Sequence, residues 1–196
     1  DPYLYHELAS MYLDYYNFSK NVTHIQKAYA AIEKCISIEK RRWQHWNLLG
    51  VICVYKAINK QSLAQHAFIK ALKLDPINST LWSNLGVFYL IIGEQKLANQ
   101  SFKKAQEGNP AFIQSWIGQA LIAECVGHHE AMDLFRHASQ LGFNRESSLG
   151  YSYCVSESLL SADDTDSSNL LYSIKNMYAV PAATDLMLRY NDFENK

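Results

Sequence analysis

The sequence predicts an all-α solenoid of stacked helix–turn–helix repeats, on three observations. The first is a spaced set of large and small residues. Trp82, Leu85, Gly86 and Tyr89 are followed by Ala98, Phe102 and Ala105, and then by Pro110. The second is recurrence. The stretch before repeats it with Trp46, Leu49, Gly50, Ala64, Phe68, Ala71 and Pro76, and the stretch after with Trp116, Ala131, Phe135 and Ala138. The third is linked phase. Trp82 and Trp116 are 34 residues apart and Trp46 and Trp82 are 36 apart, while Pro76 and Pro110 each lie six residues before a Trp.

Each residue type has a packing reason. The two helices of a unit cross closely, so small residues are needed where they touch. Gly50 and Gly86 supply them in first helices, and Ala64 and Ala98 in second helices. A glycine inside a helix costs about 0.5–1 kcal/mol relative to alanine, so close approach must offset it. Trp46, Trp82, Phe68 and Phe102 fill the space between helices with large apolar surface. Pro76 and Pro110 cannot continue a helix and separate one unit from the next. This pattern resembles the tetratricopeptide repeat. The resemblance implies a right-handed superhelical solenoid, an architecture that mostly holds other proteins.

Taken in order, residues 1–42 read as a divergent repeat. Tyr5, Leu8, Ala9 and Tyr12 imitate the first helix, with Tyr in the Trp place. Ala28, Ile32 and Cys35 imitate the second, and Lys40 takes the Pro place six residues before Trp46. The segment between these helices, around Asn17–His24, is about seven residues longer than the repeat norm. Residues 43–145 hold the three clear repeats, with the two extra residues of the first placed around Ile58–Gln61. Residues 146–196 read as a degenerate repeat and a terminal helix. Within them Glu146–Leu160 is helix-like, Ser161–Asn169 a polar loop, Leu170–Ala179 a helix broken by Pro181, and Ala182–Phe193 the start of another. About ten or eleven helices are expected. Both ends are apolar, with Tyr3, Leu4 and Tyr5 at one and Leu186, Met187 and Leu188 at the other. Free solenoid ends usually carry a polar face, so this suggests a piece of a longer solenoid or ends covered by partners, the alternative being that these residues close the final packing layer. The opening at Asp1 suggests an excised or processed segment.

Composition argues against several functions. The 196 residues carry a formal net charge of −1, which gives no global attraction to nucleic acid or anionic membrane. No apolar run reaches membrane-spanning length. Cys35, Cys53, Cys125 and Cys154 lack metal or redox spacing and read as buried free thiols, which fits a reducing compartment. His128-His129-Glu130 falls at a turn and is not the zinc-protease motif; His6-Glu7 lacks a second His at that spacing. His45, His66 and His137 read as packing or surface residues. Asp164, Asp166 and Ser168 begin like a calcium loop, but Asn169 and Lys175 stand where Gly and Glu are required. The expectation is no enzyme, no cofactor and no metal. Lys40-Arg41-Arg42 beside Trp43 could touch RNA, yet cations after a helix C-terminus explain the run equally well. RNA contact is expected to be indirect or weak.

First helices line the concave face of such a solenoid. Helical spacing assigns that stripe to Gln44, Asn47, Val51 and Val54, then Thr80, Ser83, Val87 and Leu90, then Gln114, Ile117, Leu121 and Glu124. It holds one charge, Glu124, and an exposed apolar stripe of this kind suggests a covered surface. Asn84 joins it as a second amide beside Asn47, each able to bond a peptide main chain. Asn84 could match the central Asn of the carboxylate clamp by which co-chaperone repeats hold acidic chain ends. But Asn47, Val51, Gln114 and Gly118 occupy the places of its Lys, Asn, Lys and Arg, and without the cations an anionic end has little to bind. The thirteen residues are therefore expected to form an almost uncharged protein-binding groove, the alternative being that an adjoining part of the same solenoid fills it.

Some strings go beyond the repeat consensus. They are W-N-L-L-G at 46–50, A-Q-H-A-F-I-K-A at 64–71, W-S-N-L-G-V-F-Y-L at 82–90, W-I-G-Q-A-L-I-A-E at 116–124, M-D-L-F-R-H at 132–137 and L-G-Y-S-Y at 149–153. Together they resemble the tetratricopeptide scaffold subunit of the superkiller (Ski) complex, over roughly Trp46–Tyr153. The resemblance implies a non-catalytic scaffold that joins a DExH-type RNA helicase and WD40-repeat subunits. It implies a part in cytoplasmic, exosome-mediated 3′-to-5′ mRNA decay, with a cytoplasmic location and the nucleus open as a second. The alternative is a tetratricopeptide adaptor of another multiprotein complex, without the chaperone clamp.

Overall fold

The computed structural model describes residues 1–160, with side chains through Ser156. The expected loop at 161–169 and the helices at 170–179 and 182–193 lie outside the described residues. The described residues form nine helices and no strand. They are α1 (Pro2–Ser19), α2 (Val22–Ile38), α3 (Trp43–Val54), α4 (Gln61–Leu74), α5 (Ser79–Ile91), α6 (Gln95–Gly108), α7 (Ile113–Cys125), α8 (Ala131–Leu141) and α9 (Arg145–Leu160).

Side chains start several of these helices by accepting from otherwise unpaired backbone N–H groups. Asp1 accepts from the Tyr3 N–H at 3.0 Å, with Pro2 opening the first turn. Asn21 accepts from Thr23, Asn78 from Thr80 and Leu81, and Asn144 from Glu146. A left-handed residue closes each first-to-second helix turn: Lys20 (φ 54°), Asn59 (φ 48°), Gly93 (φ 84°) and Gly127 (φ 69°). Glycine adopts this conformation without a Cβ penalty. Asn59 comes thirteen positions after Trp46, whereas Gly93 and Gly127 come eleven after Trp82 and Trp116. The two extra residues of that repeat therefore fall before Asn59, in the turn after α3.

The first repeat departs from expectation. No long segment separates its helices. α1 runs to Ser19 and α2 starts at Val22, so the additional residues lengthen the helices and leave a two-residue turn, Lys20 and Asn21. The Lys20 N–H donates to the Tyr16 carbonyl, and Asn21 caps α2, so the turn leaves few backbone groups unmade.

The chain groups into two compact units, Asp1–Asn84 and, within the described residues, 85–160. In the first, Phe68 of α4 is fully buried, and its ring lies where a Cβ on Gly50 would be, the nearest ring carbon 2.6 Å from that position. In the second, the buried Phe102 ring sits against Gly86 of α5 and also against Gly118 of α7. Phe135 of α8 sits likewise against Gly150 of α9. Ala64, Ala98, Ala105, Ala131 and Ala138 are buried beside them. The close approach expected at Gly50 and Gly86 is thus present, and Gly118 and Gly150 extend it to positions outside the repeat consensus.

The tryptophans have a second role. Trp46, Trp82 and Trp116 donate their indole N–H to the carbonyls of Lys40, Pro76 and Pro110, at 2.9, 2.8 and 2.8 Å. Each bond spans six residues and ties the start of a first helix to the turn before it. The six-residue phase between Pro and Trp is this contact, and Lys40 keeps it without a proline because the acceptor is backbone. His66 and His137 lie edge-on to Trp46 and Trp116, with ring centroids 6.2 and 4.4 Å apart.

Candidate functional site

Nine of the thirteen groove residues are buried: Asn47, Val51, Ser83, Asn84, Val87, Gln114, Ile117, Leu121 and Glu124. Gln44, Val54, Thr80 and Leu90 are half-buried, and none is exposed. The expectation of an exposed apolar stripe is corrected accordingly. Val51, Val87, Ile117 and Leu121 belong to the buried apolar core, where burial removes their surface from water. The two amides are buried as a pair: Asn84 Nδ2 donates to Asn47 Oδ1 at 2.8 Å, and both residues are about 1% exposed. They bond each other, which corrects the expectation that they face a peptide main chain.

The exposed apolar surface lies elsewhere. Leu4, Leu8, Met11, Tyr15 and Phe18 follow one another at three- and four-residue spacing along α1, so they share one face. All five are exposed, Phe18 at 92%. The sequence showed an apolar chain start at Tyr3–Tyr5 but not this stripe, because the same spacing also describes a core face.

The basic run is partly neutralised within the chain. Arg42 pairs with Glu39 at 3.2 Å and lies over the Tyr3 ring, 4.4 Å from its centroid. Arg41 is exposed. His128, His129 and Glu130 are exposed at the turn between α7 and α8, as their sequence position indicates. The cysteines divide. Cys35 and Cys53 are buried, and burial pushes their thiols up to about 11 and about 12. Cys125 is exposed and Cys154 half-buried, which corrects the expectation of four buried thiols. Cys125 ends α7 where the helix runs out toward the turn.

One polar cluster went unread in the sequence. His6 of α1 and His45 of α3 are each 2% exposed, and their Nδ1 atoms lie 3.1 Å apart. Burial, then the neighbouring His45 and Arg42, lowers His6 to about 4; burial also lowers His45, against Glu39, which acts to raise it. Both rings are therefore neutral near pH 7. Cys35 of α2 completes the cluster, with its Sγ donating to the Pro2 carbonyl at 3.1 Å. Thirty-nine residues separate the two histidines, so no local spacing could announce them. Among the described residues no helix is long and apolar enough to cross a membrane.

No protein-family profile matches the chain. It is 39% identical over 168 residues to tetratricopeptide repeat protein 37 of Xenopus laevis, a match covering 86% of this chain and 11% of that protein. It is 38% identical over 166 residues to superkiller complex protein 3 of Mus musculus, covering 85% and 11%. The chain thus spans about a tenth of the length of these curated relatives. Among solved structures it is similar to that of Pseudomonas aeruginosa PilF, with a TM-score of 0.68 at 16% identity over 96% of this chain and 88% of that one, a likeness of fold. Repeat pattern, helix pairs and relatives agree: over the stretch it spans, the chain belongs to the tetratricopeptide-repeat family of superkiller complex protein 3.

Proposed function

We propose that this chain is a non-catalytic scaffold segment that holds protein partners within a superkiller-type complex. The complex would support cytoplasmic, exosome-mediated 3′-to-5′ mRNA decay, and the partners would be a DExH-type RNA helicase and a WD40-repeat subunit. The names of the relatives support the assembly. The observation that carries a binding role for this segment is the α1 stripe. Five large apolar side chains stand exposed on one helix face, and a contiguous apolar face of that kind marks an interaction surface. Of the groove residues, Gln44, Val54 and Thr80 of the first unit and, separately, Leu90 of the second remain partly accessible and are further candidate contacts.

An affinity pull-down with the 196-residue chain as bait tests this reading. The wild-type chain is expected to recover the helicase or the WD40-repeat subunit. Phe18→Glu combined with Met11→Glu should lower that affinity at least tenfold, about 1.4 kcal/mol, with helical circular dichroism unchanged. Leu90→Glu tests the groove in the same way. Recovery of neither partner, or recovery of a different stable complex, counts against the superkiller reading and favours an adaptor of another assembly. Wild-type binding by both variants removes both faces from the contact.

A further inference from the structure

Three helices each bring one potential metal ligand to a single buried point in the first unit. An imidazole nitrogen from His6, another from His45 and the Cys35 Sγ all lie within 4.8 Å of one another. All three residues are buried, at 2%, 2% and 0% exposure. Tetrahedral zinc holds nitrogen at about 2.0–2.1 Å and sulfur at about 2.3 Å, so two nitrogens on one ion stand about 3.3 Å apart. The His6 and His45 Nδ1 atoms, 3.1 Å apart, already have nearly that separation. The sulfur needs a side-chain adjustment of about 1 Å to join them.

We propose that His6, Cys35 and His45 bind a zinc(II) ion that pins α1, α2 and α3 together. Two nitrogens and one thiolate form a donor set suited to zinc among the divalent metals. The Pro2 carbonyl, already 3.1 Å from Cys35 Sγ, or a water takes the fourth position.

The surroundings support this assignment. Glu39 places a carboxylate oxygen 3.7 Å from His45 Nε2, the nitrogen opposite the one facing His6. A carboxylate behind a ligating imidazole orients the ring and raises its basicity. Arg42, on the turn before α3, is engaged by the same Glu39 and by the Tyr3 ring. On binding, the hydrogen bond between the two Nδ1 atoms and the Cys35 S–H bond to the Pro2 carbonyl both break. The ring that carried its proton on Nδ1 takes it up on Nε2 by exchange with solvent, the thiol proton leaves to solvent, and both Nδ1 atoms and the sulfur donate electron pairs to the ion. No oxidation or reduction is involved. The exposed His128, His129 and Glu130 group lacks a sulfur and is the main competitor for added metal.

The full chain, stripped with a chelator and titrated with Co2+, tests the proposal. One equivalent should produce a thiolate-to-cobalt charge-transfer band and intense tetrahedral d–d bands, and Zn2+ should bleach both. Cys35→Ser should abolish the charge-transfer band, while Cys125→Ser/Cys154→Ser should retain it. Absence of the band, its survival in Cys35→Ser, or its loss in the Cys125/Cys154 variant overturns the assignment. X-ray absorption on the zinc-loaded wild-type chain needs no variant. One sulfur and two imidazoles in the first shell support the site; a nitrogen/oxygen-only shell, as the 128–130 turn would give, overturns it.

Discussion

Asn47 and Asn84 show how a polar side chain can occupy a core. An amide buried without a partner costs about 1–3 kcal/mol, whereas a matched pair costs little. Nδ2 of Asn84 and Oδ1 of Asn47 meet that condition at 2.8 Å. Asn47→Ala is expected to destabilise the chain by about 1–3 kcal/mol, because it strands the Asn84 donor. Asn84→Ala should do the same, and the double variant should cost clearly less than the two single losses together. Urea unfolding of the four proteins measures the coupling; simple additivity would mean that the bond contributes nothing. The pair also marks a limit of sequence reading. Asn47, Ser83 and Thr80 are small and polar, and such residues sit equally well on a wet groove or in a close helix contact. Only the neighbouring helix decides between them, and the neighbour is not written in the local pattern. The same holds for His6 and His45, which meet only because α1 and α3 converge.

At the level of the helix pair, the repeat consensus describes contacts that recur with chemistry intact. Gly50 faces Phe68, Gly86 faces Phe102, and three tryptophans reach the backbone carbonyl six residues upstream. The glycine contacts were legible because both partners belong to one period. Of the tryptophan bonds only the six-residue phase was, since a backbone acceptor leaves no residue type to recognise. Replacing Trp82 by Phe keeps much of the apolar surface and removes the indole donor, so the Pro76 carbonyl loses its partner. The expected cost is about 1 kcal/mol, read from thermal or urea unfolding, with the helical signal unchanged. A wild-type midpoint for Trp82→Phe would mean that solvent replaces the bond at no cost. The first pair was less legible. Its surplus residues were assigned to a loop because a repeat norm was imposed on them. Asn21, a good helix cap, and the left-handed Lys20 instead shorten the turn and lengthen both helices.

For the molecule as a whole, charge is the property that composition states most directly. Eighteen basic and nineteen acidic residues leave no excess to draw in a polyanion, and Arg42 is already paired with Glu39. Nucleic-acid affinity rests mainly on neutralising phosphates. A labelled single-stranded RNA, followed by fluorescence anisotropy at physiological salt, is therefore expected to show no saturable binding to this chain. Micromolar binding that falls steeply with salt and with Arg41→Ala/Arg42→Ala would establish a direct RNA contact instead. The all-α repeat architecture was readable at this scale from spacing alone. Where the apolar surface faces outward was not, since α1 has the same three-and-four spacing on its exposed stripe as on a packed face.

The ring of Phe102 touches glycines of two successive first helices, Gly86 and Gly118. One side chain is thereby held in common by a helix pair and by the pair that follows. Loss of either neighbour uncovers it, so the melting of one pair raises the free energy of keeping the next. Solenoid stability is close to a sum of intrinsic and nearest-neighbour terms, and a shared ring of this kind is a physical source of the neighbour term. A cut between α6 and α7 would divide that term rather than fall at a natural seam. Any shorter piece of this protein meant to fold cooperatively should keep Phe102 and both of its glycines on the same side of the break.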